Sequence, residues 1–226
     1  MKTLPLLLAL ASFSLFAADT PKAAPAEKAP AKAKAKAKAP NPAMTPIQDV
    51  AGLPRVLLIG DSISIGYTLP VRQELAGKAN VHRIPTNGGP TKNGTANLAK
   101  WLGTGKWDVI HFNFGIHDRA TPAADYVKRL EEIVTRLEKT GAKLIWASTT
   151  PIPDNPAQKQ TAQSVVEKNA LAAEVMAKHG IPTDDLFGAM TPRLKEFQPP
   201  LDVHYTGAGY DFLGAKVGES ILARLK

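Results

Sequence analysis

The chain has 226 residues, 44% of them hydrophobic and 21% charged, which is enough apolar material for one well-buried domain and too little length for two large ones. It contains no cysteine, which excludes disulfides, thiolate catalysis and cysteine-ligated zinc. Of its net charge of +8, most lies before residue 49, where seven of the 28 basic residues but only Asp19 and Glu27 of the 20 acidic ones fall; the remainder, at +3, makes no electrostatic case for nucleic acid.

Lys2 precedes an apolar run from Leu4 to Phe16, followed by the small residues Ala17 and Ala18. A positive start, a short apolar centre and a small-residue end predict a secretory signal peptide over 1–18, and the run falls short of the ~20 apolar residues of a membrane span. Export to a periplasm or to the medium is therefore expected, with no stable membrane insertion. Residues 19–48 are almost wholly Ala, Pro and Lys and cannot repay the entropy of ordering. They are expected to be a disordered linker, either a solvated spacer or a weak electrostatic tether to an anionic envelope polymer or headgroup.

From Arg55 onward strands and helices alternate. Val56-Leu57-Leu58-Ile59 reads as a buried strand ended by Gly60. A helix is expected over Tyr67–Lys78, a strand near Val81–Pro85, a helix over Asn93–Leu102 and a second buried strand over Asp108–Phe114. Thr121-Pro122 places a capping residue before a proline at the first position of a helix, which carries Leu130, Ile133, Val134 and Leu137 at helical spacing and stops at Gly141. A strand over Lys143–Ser148, a helix over Val165–Lys178 and a final helix from Ala208 to Leu225 follow. This alternation predicts an α/β fold with a mainly parallel sheet covered by helices on both faces.

Ligands of such sheets bind at the carboxyl ends of strands. Gly60-Asp61-Ser62 ends the first strand, Thr86-Asn87-Gly88-Gly89 the second and Gly115-Ile116-His117-Asp118 the third, while Asp202-Val203-His204 precedes the last helix. A hydroxyl, an imidazole and backbone donors converging at one edge are what acyl transfer requires.

The block Ile59-Gly60-Asp61-Ser62-Ile63-Ser64 resembles the opening motif of the GDSL esterases, also called SGNH hydrolases, and the resemblance extends over nearly the whole domain, expected here as residues 49–226. It implies a flavodoxin-like three-layer α/β/α fold, no cofactor, and hydrolysis of acyl esters of lipids, sugars or small alcohols. By the same resemblance Ser62 is the nucleophile and His204 its base. Ser62 N–H and Gly89 N–H are two oxyanion donors. The third block of that family reads Gly-x-Asn-Asp, so His117 stands where an asparagine amide donates. The fourth reads Asp-x-x-His, whereas Leu201 lies three residues before His204 and Asp202 two before it. Asp202 is the nearest candidate to orient His204; a backbone carbonyl, Asp184 or Asp185 are the competing possibilities.

Asp61 is expected to shape the nucleophile turn, His111 to be a satisfied core histidine, and Trp101, Trp107 and Trp146 to be core aromatics. The scattered histidines lack metal-ligand spacing. No long lid separates the blocks, so a small acyl group such as acetyl, on a carbohydrate, is the expected substrate. A lipase or lysophospholipase activity is the enzymatic alternative, and a weakly active module binding envelope polysaccharide the non-enzymatic one.

Overall fold

In the computed structural model, which describes residues 41–226, five strands form one parallel sheet in the order β2-β1-β3-β4-β5. They are β1 (Arg55–Ile59), β2 (Asn80–Arg83), β3 (Val109–Phe112), β4 (Lys143–Ala147) and β5 (Thr183–Asp184). Alternate strand residues feed two separate cores. Leu57, Ile59, Ile110, Phe112, Leu144 and Trp146 face one side, under helices α2 (Thr91–Leu102), α3 (Ala123–Glu138) and α4 (Ala162–Lys178). Val56, Leu58, Val109, Ile145 and Ala147 face the other, under α1 (Ser62–Glu74) and α7 (Gly207–Leu225). Strands buried on both faces read as continuous apolar runs, which is why β1 and β3 were visible in the sequence. The order 2-1-3-4-5 is that of flavodoxin-like sheets, whose ligand crevice lies between the carboxyl ends of β1 and β3, where the winding reverses.

Two short helices, α5 (Leu186–Met190) and α6 (Leu194–Phe197), and the two-residue β5 have no counterpart in the sequence reading. Elements of two to five residues carry too few periods to register. The first helix is corrected by five residues: it begins at Ser62, not Tyr67, because Asp61 caps it, its carboxylate accepting from Ile63 N at 2.9 Å. Gly66 and the internal Pro70 disguise its helical pattern. The α3 cap also shifts: Pro122 is the capping residue and Ala123 the first helical one.

The signal-peptide segment and residues 19–40 of the expected linker lie outside the described residues. Residues 41–48 were expected to belong to that linker, yet they pack on the domain. Ala43 is buried, and the Arg72 guanidinium donates to the carbonyls of Pro42 and Thr45. Among the described residues no helix is long and apolar enough to cross a membrane.

One helix pair decides where the chemistry sits. A Cβ on Gly66 would fall 2.1 Å from the Tyr210 ring, one on Gly214 2.2 Å from Pro70 Cβ, and one on Gly218 2.9 Å from Glu74 Cβ. These three contacts advance by four residues on both helices, so α1 and α7 run parallel in one register, backbone close to backbone. Small residues permit that approach. The same register carries the start of α1 to the start of α7, setting Ser62 beside the segment that holds His204.

Candidate active site

The first residue of α1 is Ser62, placed at the carboxyl end of β1 by a sharp strand-to-helix turn. His204 lies three residues before α7. Their Oγ and Nε2 atoms are 2.9 Å apart, although 142 residues separate them in sequence. His204 Nδ1 lies 2.8 Å from Asp202 Oδ1, and the same oxygen accepts the His204 backbone N–H at 3.0 Å. The two-residue spacing that departs from the family pattern therefore works as a turn closed by an aspartate side chain: the carboxylate reaches the N–H two residues on, and the ring folds back onto it. Leu201, with φ +60, supplies the left-handed bend that aims Asp202 this way, a conformation costly for a branched side chain.

Hydrogen bonds from the His204 backbone and imidazole hold the Asp202 carboxyl below its usual range. An ionised carboxylate only accepts, so Nδ1 carries the ring proton and the Nε2 lone pair faces the Ser62 hydroxyl. That is the arrangement in which an imidazole removes a proton from a serine. Asp184 and Asp185 are engaged elsewhere: Asp184 pairs with the fully buried His111 at 3.0 Å, and Asp185 caps α5 while accepting from Ser148.

The loop that bears His204 is tied down on three sides. Tyr205 is buried and its hydroxyl donates to Pro151 O at 2.8 Å. Thr206 caps α7, and Val203 packs on a small cluster of Ile116, Ile152 and Val165. Through Ile116 this cluster joins the His204 loop to the turn after β3.

That turn, Ile116–Asp118, leaves His117 exposed between two buried neighbours. His117 makes no hydrogen bond or ion pair among the described residues and lines a groove of about 500 Å³ with Arg119, Gln158 and Lys159. Asp118 is fully buried and receives Thr91 N and Thr91 Oγ1, each at 2.7 Å, which locks the His117 turn to the start of α2. Gly89, just before α2, has φ +64, a conformation glycine adopts freely, and its N–H donates to Asn87 Oδ1 at 2.9 Å. In the structure Asn87 therefore occupies that donor. Ser62 N–H opens its helix and so has no intrahelical acceptor.

Sequence reasoning missed Asp118, visible as the last residue of the third block, and Arg83, for which no motif gave a signal. Trp101 and Trp146 are core residues as expected, while Trp107 is half-buried beneath Arg55. Among the described residues no group of three His, Asp or Glu side chains could hold a metal ion.

The model of the GDSL-like lipase/acylhydrolase family matches residues 58–212, a span that contains Ser62, Gly89, His117, Asp202 and His204. A lipase/acylhydrolase from Enterococcus faecalis is 25% identical, with a TM-score of 0.68 over 76% of this chain and 97% of that one. The acetyl xylan esterase AlAXEase, 14% identical, superposes with a TM-score of 0.65 over 74% of this chain and 99% of its own. An acetylxylan esterase from Geobacillus stearothermophilus, 16% identical, gives 0.61 over 76% and 94%. At those last two identities the likeness is one of fold. No curated protein sequence matches the chain.

Proposed function

The chain belongs to the GDSL-like lipase/acylhydrolase family of ester-bond hydrolases, and from that premise we propose that it is an exported serine esterase removing small acyl groups, acetyl foremost, from carbohydrate. The observation that carries this reading is the contact series Ser62 Oγ to His204 Nε2 to Asp202 Oδ1, at 2.9 and 2.8 Å. His204 takes the Ser62 proton as the oxygen attacks the acyl carbon. The oxyanion is held by Ser62 N–H, by Gly89 N–H and by His117. The alcohol leaves with the proton from His204, and water, activated by the same imidazole, releases the acid.

Two features of the surroundings support the substrate class. Among the described residues no long insertion stands over the Ser62–His204 contact to enclose an alkyl chain. The groove beside His117 is wide and lined by polar side chains, and its 500 Å³ suits a sugar-sized leaving group. Export rests on the signal-peptide pattern at the amino terminus.

The test is acid release from p-nitrophenyl acetate, butyrate and octanoate, beside acetate release from an acetylated xylo-oligosaccharide. The reading expects kcat/KM to fall at least tenfold from acetate to octanoate and acetate to be freed from the oligosaccharide. A preference for octanoate would favour the lipase reading instead, and no turnover on any ester would favour a polysaccharide-binding module.

His117 has a separate expected outcome. Because it occupies the position of an asparagine donor, His117→Asn keeps most of the turnover. His117→Ala loses about 10²–10³ in kcat, or about 2.7–4 kcal/mol. Alanine and parent enzymes of equal kcat would remove His117 from the oxyanion site.

A further inference from the structure

Arg83, the last residue of β2, is a cation with no carboxylate partner among the described residues. Its Nη2 lies 2.9 Å from Gly60 O, from Asp61 O and from Ser64 Oγ, and its Nη1 donates to Ile84 O at 3.1 Å and to Thr86 O at 2.8 Å. Nε is buried and unpartnered. Burial lowers the guanidinium to about 10, which leaves it charged at neutral pH. Committing a half-buried guanidinium to four carbonyls costs it hydration, an expense the Asp61 carboxylate offsets only through space.

The carbonyls it gathers explain the expense. Asp61 O shares a peptide plane with Ser62 N–H. No peptide bond in the described residues is cis, so the two point in opposite directions. Asp61 O is held by Arg83 together with Ile65 N, which donates to it at 3.0 Å, and fixing it there fixes Ser62 N–H to point away, out of the turn. A cation on the carbonyl also polarises that peptide and strengthens its N–H as a donor. Gly60 O, one residue earlier, accepts Gly88 N at 2.9 Å as well as Arg83, so the guanidinium joins the nucleophile turn to the turn carrying Gly89.

The geometry points to Arg83 as the positioning residue of the oxyanion site, orienting and polarising Ser62 N–H through the Asp61 carbonyl and holding the Gly89 turn against it. This rests on the proposed serine-esterase reading. Arg83 touches no substrate; its effect belongs to the transition state, when the oxyanion forms.

The test compares Arg83→Met, which keeps length and loses every donor, with Arg83→Lys, which keeps the charge. Each is measured for melting temperature, for kcat and KM on p-nitrophenyl acetate, and for inhibition by methyl trifluoromethyl ketone, whose adduct with a serine carries the oxyanion. We expect Arg83→Met to lose about 10²-fold in kcat with KM within threefold of the parent, and Arg83→Lys to recover at least a tenth of the parent kcat. The ketone inhibition constant should rise in proportion to the loss of kcat/KM across the series. Parent-like kcat in Arg83→Met, or a loss of kcat with unchanged ketone affinity, would overturn the inference and leave the esterase intact. If Arg83→Met does not fold, Arg83→Lys decides by the same proportionality. A parent without Ser62-dependent turnover would overturn the reading beneath it, and the inference too.

Discussion

Ser62→Ala is expected to lower kcat by about 10⁶-fold, His204→Ala by about the same, and the double variant by no more than either. The reason is geometric. With Ser62 Oγ and His204 Nε2 2.9 Å apart, the hydroxyl is a nucleophile only because the imidazole takes its proton, and without an acyl group on Ser62 the imidazole has no intermediate to hydrolyse. Removing one member leaves the other without a function, so the losses do not add. What survives is whatever the oxyanion donors contribute to attack by water. Turnover of p-nitrophenyl acetate by the four proteins, each checked for folding by its melting temperature, measures this. A double variant a thousandfold slower than either single one would show two independent routes to the product, and a Ser62→Ala enzyme above a tenth of parent activity would move the nucleophile elsewhere. Ser64 is not the replacement: it is 2% exposed and its hydroxyl accepts from Arg83.

Asp202 should produce the next largest effect, and its size is set by exposure. Its side chain is 48% exposed, and that of His204 44%. Two unit charges about 4 Å apart interact by ~1 kcal/mol in water and ~4 kcal/mol at the surface of a protein, so the charge alone is worth between fivefold and a thousandfold. Open access of water favours the lower part of that range. Asp202→Asn, whose amide oxygen can still accept from His204 N and Nδ1, should lose about 10–100-fold in kcat/KM. Asp202→Ala also loses the turn that sets the tautomer, and should lose about 10³-fold. Steady-state kinetics of the pair check this. Unchanged turnover in both variants would leave a Ser62–His204 dyad, while equal losses would mean that only the charge matters.

The buried strands β1 and β3 were legible because a parallel strand covered on both faces is written as an uninterrupted apolar run. Ser62 and His204 were singled out through the resemblance of their blocks to the GDSL esterases, and the 2.9 Å contact between them is what the structure adds. The start of α1 was not legible, since capping by Asp61 and the contacts of Gly66 and Pro70 with α7 outweigh a weak helical pattern. Nor was the status of residues 41–48, whose composition reads as linker and whose hold on the domain comes from Arg72, 27 or more residues away.

What the sequence by itself determined is the set of elements, their layering around a parallel sheet, and the chemical types gathered at the strand ends. These follow from local periodicity and turn chemistry, which act over a few residues. Only the tertiary structure decided which groups meet. That Asp202 reaches His204 from two residues away depends on the left-handed Leu201, that Ser62 reaches His204 on the parallel register of α1 against α7, and that Arg83 faces carbonyls rather than an acid on where β2 ends beside β1. Each is a distance between atoms far apart in the chain or a backbone angle that the residue type disfavours, and no local pattern of residues carries either.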